Sequence, residues 1–193
     1  MIEKMLEGNS RFVEYEFKKH HDFYTKLSQG QNPSVLWIGC SDSRVNPERF
    51  TCSKPGEIFV QRNVGNIVSL HDWNFATVLE YAINHLKVKH IVICGHSDCG
   101  AMKALDKETD DVYIPLWLNN AREAKERVDK RISLPQTPKA MKERKRMIEL
   151  ENIKLQVEHL KDYPLVKKAV IHGTVALHGM YYDLENGVLS VLL

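Results

Sequence analysis

Ser34-Val35-Leu36-Trp37-Ile38-Gly39 runs directly into Cys40-Ser41-Asp42-Ser43-Arg44. The first six residues form a short apolar run without polar alternation, which suits a strand buried on both faces of a sheet. Ile58-Phe59-Val60, after the turn signal Pro55-Gly56, reads as a second such strand. His90 to Cys94 (HIVIC) reads as a third, followed directly by Gly95-His96-Ser97-Asp98-Cys99-Gly100. Between the second and third, Asp72 can cap a helix carrying Phe75, Val78, Leu79, Ala82, Ile83 and Leu86. That is the i, i+3, i+4, i+7 stripe of a helix packed on a sheet. Strands alternating with helices predict an α/β fold, three layers α/β/α around a mostly parallel central sheet with right-handed crossovers.

Outward from this centre, Pro115 suits the first turn of a helix over roughly 116–128. A long charged helix is expected over 138–161, ending before Pro164. Segments 175–184 and 188–192 flank Glu185-Asn186-Gly187, a hairpin signal that predicts an antiparallel C-terminal edge strand. Met5, Phe12, Phe17 and Phe23-Tyr24 stand on loosely helical spacing among charges, so residues 1–30 read as an N-terminal helical arm closed by Gly30 and Pro33. With no internal repeat or evident linker, 193 residues fit a single domain over 1–193.

A hydrophobic share of 43% and a charged share of 27% are those of an ordinary soluble protein. A net charge of +2 lacks the excess basicity of a nucleic-acid binder, so no nucleic-acid partner is expected. No stretch approaches the roughly 18 apolar residues of a membrane span, so no membrane partner is expected either. Met1-Ile2-Glu3-Lys4-Met5-Leu6-Glu7 is acidic and lacks the apolar core of a signal peptide, which points to a cytoplasmic location. Four cysteines are too few for a disulfide scaffold, and a reducing compartment keeps them as thiols. Metal binding or catalysis is the expected use of any that cluster.

Two cysteines, a histidine and a carboxylate therefore follow two strands that could be neighbours. In open α/β sheets ligands bind beyond the carboxyl ends of the strands, where strand order reverses. Two thiolates and an imidazole, Cys40, His96 and Cys99, are a donor set that favours zinc. Three protein ligands plus one exchangeable position make a catalytic site, and four fixed ligands a structural one. Asp42 leaves this open, since its carboxylate could fill the fourth position or leave it to water. Arg44, two residues on, can pair with Asp42 through its guanidinium and hold it off the metal. Zinc can then lower the pKa of a bound water to about 7. Either motif alone is weak; both together, each at the end of a buried strand, are specific.

Other residues earn blander readings. Cys94 lies within a strand and reads as a small core residue, and Cys52 as a free loop thiol. His20, His21, His71, His85, His90, His159, His172 and His178 have no ligand companions and read as surface or satisfied imidazoles. The basic run 142–146, interrupted by Glu143 and followed by Glu149 and Glu151, reads as a solvated helix face. Trp37 and Phe59 read as core, of interest because their strands end at the site.

Cys40-Ser41-Asp42-Ser43-Arg44-Val45 together with His96-Ser97-Asp98-Cys99-Gly100 closely resembles the paired signatures of the β-class carbonic anhydrases. The resemblance extends through Phe59-Val60-Gln61-Arg62-Asn63-Val64-Gly65-Asn66, Glu80-Tyr81-Ala82 and His178-Gly179, over roughly 31–187. It implies reversible hydration of CO2 to bicarbonate and a proton, with one Zn2+ per subunit on Cys40, His96 and Cys99, and Asp42 as a possible fourth ligand. It implies a dyad in which Arg44 draws Asp42 off the metal and Asp42 orients the zinc-bound hydroxide toward CO2. It implies substrate contacts from Gln31, Phe59, Val64, Tyr81 and the backbone N–H of Gly100. It further implies a homodimer or dimer of dimers with the active site at the subunit interface and the N-terminal helix reaching over the neighbour.

Within the family, Gln31 fits a constitutively open subgroup. Trp37, with Arg62 and Tyr182, fits one in which bicarbonate binds a second pocket and aspartate caps the zinc. Met180 stands where Trp is common, and Gly65 where Ala is common. Hydrolysis of CS2 or COS on the same scaffold is a close alternative. A non-catalytic zinc-binding homologue would have no use for Asp42, Arg44, Gln31 and Tyr81. A thiol-redox protein using Cys40 and Cys99 would lack the Cys-x-x-Cys pair and leave His96 and Asp42 idle.

Overall fold

Strands β1 (Val35–Cys40), β2 (Ile58–Asn63), β3 (His90–His96), β4 (Ala176–Tyr182) and β5 (Leu189–Val191) form one sheet in the order β2-β1-β3-β4-β5 in the computed structural model. The structure describes residues 1–133 and 135–193. β1 pairs in parallel with β2 and β3, and β3 in parallel with β4. β5 runs antiparallel to β4, as the hairpin signal predicts, with Gly187 in the left-handed region at φ +74. From β1 the chain places β2 on one side and β3 on the other, so strand order reverses between β1 and β3.

Both of these strands run further than their apolar cores suggest. Cys40 is the last residue of β1, opposite Asn63, and His96 the last of β3, opposite Tyr182. The β1–β3 pairing ends at Gly39 and Cys94, and the outer neighbours β2 and β4 carry the ladder on to Cys40 and His96, so these two residues sit on sheet rather than in loops.

One face of the sheet carries Leu36, Ile38, Ile91 and Ile93 into the main core. Three helices cover that face: α4 (Trp73–Glu80), α7 (Pro138–Asp162) and α8 (Pro164–Ile171). Asp72 caps α4 by accepting from the N–H groups of Asn74 and Phe75, and a π-helical turn over Tyr81–His85 extends it. α7 lies close to the sheet because two positions beneath it lack a side chain. A Cβ on Gly95 would stand 2.8 Å from Ile153 Cδ1, and one on Gly179 2.9 Å from Ile153 Cγ2. The other face buries Trp37, Val92 and Cys94 against Phe50 of α3 (Pro47–Thr51). Helices thus lie on both sides of the sheet, unequally.

α6 (Ile114–Asp129) starts with Pro115 in its first turn and packs on α7. α8 departs from expectation: Pro164, read as a stop, is the first residue of a new helix that buries Val166 and Ala169. α3 and α5 (Gly100–Ala104) are also unforeseen, being too short to show a period. The basic run is only partly a solvated face. Lys142 is exposed, but Arg144 is 7% exposed. Its guanidinium donates to both carboxylate oxygens of Asp106 at 2.6 and 2.9 Å, and of Asp129 at 2.7 and 2.9 Å.

The chain divides into two units, Met1–Asn32 and Pro33–Leu193. The first consists of α1 (Ile2–Phe12), a π-helical turn over Val13–Phe17 and α2 (His21–Ser28). Tyr24 stacks on Phe17 at 4.9 Å and meets Phe12 edge-on at 5.5 Å, tying α2 back onto α1. None of the residues in these helices is buried, and Met1, Ile2, Met5, Leu6 and Tyr15 are exposed. Among the described residues no helix is long and apolar enough to cross a membrane.

Candidate metal centre

The reversal between β1 and β3 brings Cys40 and His96 to adjacent strand ends. Beyond β3 the chain turns through Asp98, at φ +62, and returns Cys99 as the N-cap of α5. The two sulfurs and a ring nitrogen of His96 lie within 4.8 Å of one another, and all three residues are buried. His96 Nδ1 is 2.9 Å from the carbonyl oxygen of Ser97. If Nδ1 carries the proton, that bond leaves Nε2 with a free lone pair. Nε2 is buried, with no hydrogen-bond partner among the described residues. Two sulfurs and an orphaned imidazole nitrogen converging in a dry site fit a zinc ion.

Cys40 is the readier thiolate, lowered to about 4 by the hydrogen bond from the Cys99 thiol, which outweighs burial. His96 and the Gly65 N–H, 3.4 Å from the Cys40 sulfur, add to that effect. Cys99 is pushed up, first by its hydrogen bond to Cys40 and then by burial. Burial alone would lower the His96 pKa, but the neighbouring Cys40 sulfur, with the Ser97 carbonyl and Asp42, raises it more. A divalent cation would relieve the charge crowding and let both sulfurs ionise.

Asp42 comes to the rim of this cluster and not into it. Its Oδ2 stands 4.0 Å from His96 Nε2. Arg44 donates to Oδ1 from its backbone N–H at 3.0 Å and from Nε at 2.9 Å, and to Oδ2 from Nη2 at 2.7 Å. That pairing holds the Asp42 carboxyl well below the usual carboxylate range. Both carboxylate oxygens of Asp42 are thus turned to Arg44. Arg44 also donates to Oδ2 and the carbonyl of Asp98, both at 3.2 Å, and Lys103 pairs with Asp98. Arg62 pins the strand end, donating to the carbonyls of Cys40 at 2.9 Å and Asp42 at 2.6 Å.

Glu149, read from sequence as part of a solvated helix face, is turned inward instead, as is Glu151. Glu149 is buried in α7, with Oε1 accepting from the Cys99 N–H at 3.1 Å and Oε2 accepting from the Tyr181 hydroxyl at 2.8 Å. Burial pushes its pKa up, against the pull of those two donors. Its one trace in the sequence is a carboxylate directly after Ile148. Gly65 is demanded by its backbone: φ is +86, and a Cβ would stand 2.9 Å from that of Ala101.

The residues expected to line a substrate pocket are only partly assembled. An open pocket of about 470 Å3 beside the centre is lined by Ser41, Asn63, Val64, Tyr113, Ile114 and Trp117. Val64 is 50% exposed there. Gly100 opens α5 next to Cys99. Phe59 and Tyr81 meet each other at 5.9 Å, outside that lining. Phe59 stands four residues before the end of β2, about 13 Å back from the strand's carboxyl end. Gln31 belongs to the N-terminal unit and is exposed.

Comparison with known proteins bears on the same residues. A family model described as carbonic anhydrase matches residues 35–189. A carbonic anhydrase of Synechococcus elongatus is 35% identical over 193 residues, covering 96% of this chain and 70% of its own length. Among solved structures, a tetrameric β-carbonic anhydrase of Sordaria macrospora superposes with a TM-score of 0.91 at 34% identity, covering 99% of this chain and 96% of its own. That of Coccomyxa, solved with acetazolamide, has a TM-score of 0.91 at 33% identity, covering 100% of this chain and 86% of its own.

Proposed function

The chain belongs to the β-class carbonic anhydrase family, and from that premise we propose that it hydrates CO2 reversibly to bicarbonate and a proton with one zinc ion per subunit. The observation that carries this reading is the convergence of Cys40, His96 and Cys99 with Asp42 held beside them by Arg44. A zinc ion on the three donors would supply a Lewis acid able to bring the pKa of a water near 7.

The chain's own residues then do the positioning. Asp42 stays charged, and its place at the rim of the cluster lets it accept a hydrogen bond from the attacking nucleophile and so fix the direction of a lone pair. Arg44 keeps that carboxylate from becoming a ligand. Val64 offers an apolar wall for a linear nonpolar molecule, and the Gly100 N–H a donor to a substrate oxygen. Phe59 and Tyr81, set back from their own subunit's ligands, serve a second copy's centre in a homodimer or dimer of dimers. The exposed Val64, Tyr113 and Ile114 beside the pocket give such a dimer an apolar contact at the site. Gln31 adds a polar contact to substrate, and the N-terminal unit, with its exposed Met1, Ile2, Met5 and Leu6, reaches over the neighbouring subunit. Four free thiols suit a reducing compartment, and we place the protein in the cytoplasm.

Stopped-flow CO2 hydration, with zinc measured on the same preparation, tests the reading. Turnover proportional to zinc content supports it; full activity in metal-free protein overturns it. Parallel assays with CS2 and COS separate hydration from hydrolysis of those molecules on the same scaffold.

A further inference from the structure

α7 carries Glu149, Asn152, Gln156 and His159 at spacings of three, four and three residues, the repeat of a single helix face. Glu149, Asn152 and Gln156 are all buried, at 5%, 1% and 0% exposure. A buried polar group left unpaired forfeits its hydration with nothing in return, so a stripe of them on a core face needs partners. Most of these partners lie at Cys99 and along 65–68, the segment that abuts Cys40; the Tyr181 hydroxyl, on Glu149, and the Asn120 carbonyl, on Gln156, lie elsewhere. Glu149 accepts from the Cys99 N–H. Asn152 Nδ2 donates to the Gly65 carbonyl at 3.1 Å, and the Gly65 N–H points at the Cys40 sulfur. Gln156 accepts from the Val68 N–H at 2.7 Å and donates to Asn152 Oδ1 at 2.8 Å and to the Asn120 carbonyl at 3.0 Å. His159 Nδ1 stands 3.1 Å from the Val68 carbonyl oxygen.

The helix therefore runs a ladder of hydrogen bonds along 65–68 and ends it at Cys99. Cys40 and Cys99 come from different segments, yet the same helix reaches both, Cys99 directly through its N–H and Cys40 at one remove through Gly65. Gly95 and Gly179 let that helix sit close enough to reach both.

We infer that Glu149 and Asn152 are positioning residues for the metal centre, fixing the spacing of the Cys99 and Cys40 sulfurs from α7, through the Cys99 N–H and through Gly65. The inference rests on the zinc reading above and goes beyond it by assigning the support of the ligands to one helix. Glu149 acts here as an acceptor. An amide oxygen can replace it, since the Tyr181 hydroxyl can accept from an amide nitrogen as readily as it donates to a carboxylate.

Cobalt(II) in place of zinc provides the test, because its thiolate charge-transfer band reports sulfur geometry independently of turnover. Zinc loss to a chelator is timed alongside. Glu149→Ala and Asn152→Ala are expected to shift the cobalt band and to release zinc about 10–100-fold faster. Glu149→Gln is expected to restore the native band and to release zinc within about threefold of the native rate, far inside that range. A purely structural role would lower stability without moving the band. If Glu149→Ala fails to fold, Asn152→Ala and Tyr181→Phe decide, the latter freeing the carboxylate from its second anchor. Native band and native zinc release in both would overturn the inference while leaving the metal reading intact. Native protein that takes up neither cobalt nor zinc would overturn both.

Discussion

Gly179→Ala is the change that most directly tests whether the seat of α7 governs this molecule. The new Cβ would stand 2.9 Å from Ile153 Cγ2 and 3.4 Å from Leu193 Cδ1. Ordinary carbon contacts lie at about 3.5–4.0 Å, so helix and strand must part by something approaching 1 Å. Cγ2 is fixed on the β-carbon of Ile153, so rotating the end of that side chain brings no relief. Overpacking of this kind costs about 1–3 kcal/mol. The same displacement would stretch the Glu149–Cys99 and Asn152–Gly65 hydrogen bonds, both 3.1 Å, past useful length. Urea denaturation should show the loss of stability, and zinc retention should fall with it. Ile153→Ala alone should cost about 2–5 kcal/mol. The double variant should cost less than the sum by about 1 kcal/mol or more, because the small residue makes room for the added methyl. Strict additivity in that cycle, or a Gly179→Ala protein with native stability, would refute the close seating of α7.

Cys40→Ser or His96→Ala should lose zinc and CO2 hydration together, measured by metal analysis and stopped flow on one preparation; retention of both contradicts the assigned ligands. Asp42→Ala should keep most of its zinc and lose about 10²–10³-fold in kcat, the range seen when a group that orients transition-state charge is removed; unchanged turnover removes its role. Arg144→Met should cost about 3 kcal/mol at pH 7, the low end for breaking a buried pair because Asp106 and Asp129 keep some solvent contact. Arg144 lowers the pKa of both carboxyls, so their stabilisation is fully present above about pH 4 and is lost as pH falls through the depressed folded values. The variant should therefore show a shallower acid limb than the native chain in urea titrations at pH 7 and pH 3.5, and equal acid limbs would remove that cause.

The metal centre was legible because its chemistry depends on residue identity. Few residue types ligate zinc, and apolar runs marked the strand ends that carry them. The residues that support it were hidden because a polar side chain looks the same in sequence whether it faces water or a partner far along the chain. Glu149 finds Cys99 fifty residues away, and Arg144 finds Asp106 thirty-eight away. A charge run gives no sign of which member turns inward. Pro164, read as a stop, opens a new helix, because proline is accepted in a helix's first turn and the apolar residues Val166 and Ala169 that follow are buried. The expected pocket residues came from family resemblance alone, and of them only Val64 lines the open pocket. Phe59 and Tyr81 lie apart from it within one chain, and nothing local in the sequence says which residues a fold will gather.

The tension between the open and the switchable site is also physical. In the switchable form an anion must gather Trp37, Arg62 and Tyr182. Phe50 sits against both aromatic members, 5.8 Å from Trp37 and stacked on Tyr182 at 4.0 Å. Arg62 donates from Nε to the Cys40 carbonyl and from Nη2 to the Asp42 carbonyl. Swinging its guanidinium away to an anion would release the backbone of a proposed ligand and of the residue that Arg44 pairs with. Trp37 Nε1, buried and without a hydrogen-bond partner among the described residues, is a feature on the other side. An indole N–H alone is a single neutral donor, however, and an anion entering a dry pocket needs charge or several donors to offset its lost hydration. Arg44 on the Asp42 carboxylate and Arg62 on the Asp42 carbonyl both hold that residue in the place the open form requires.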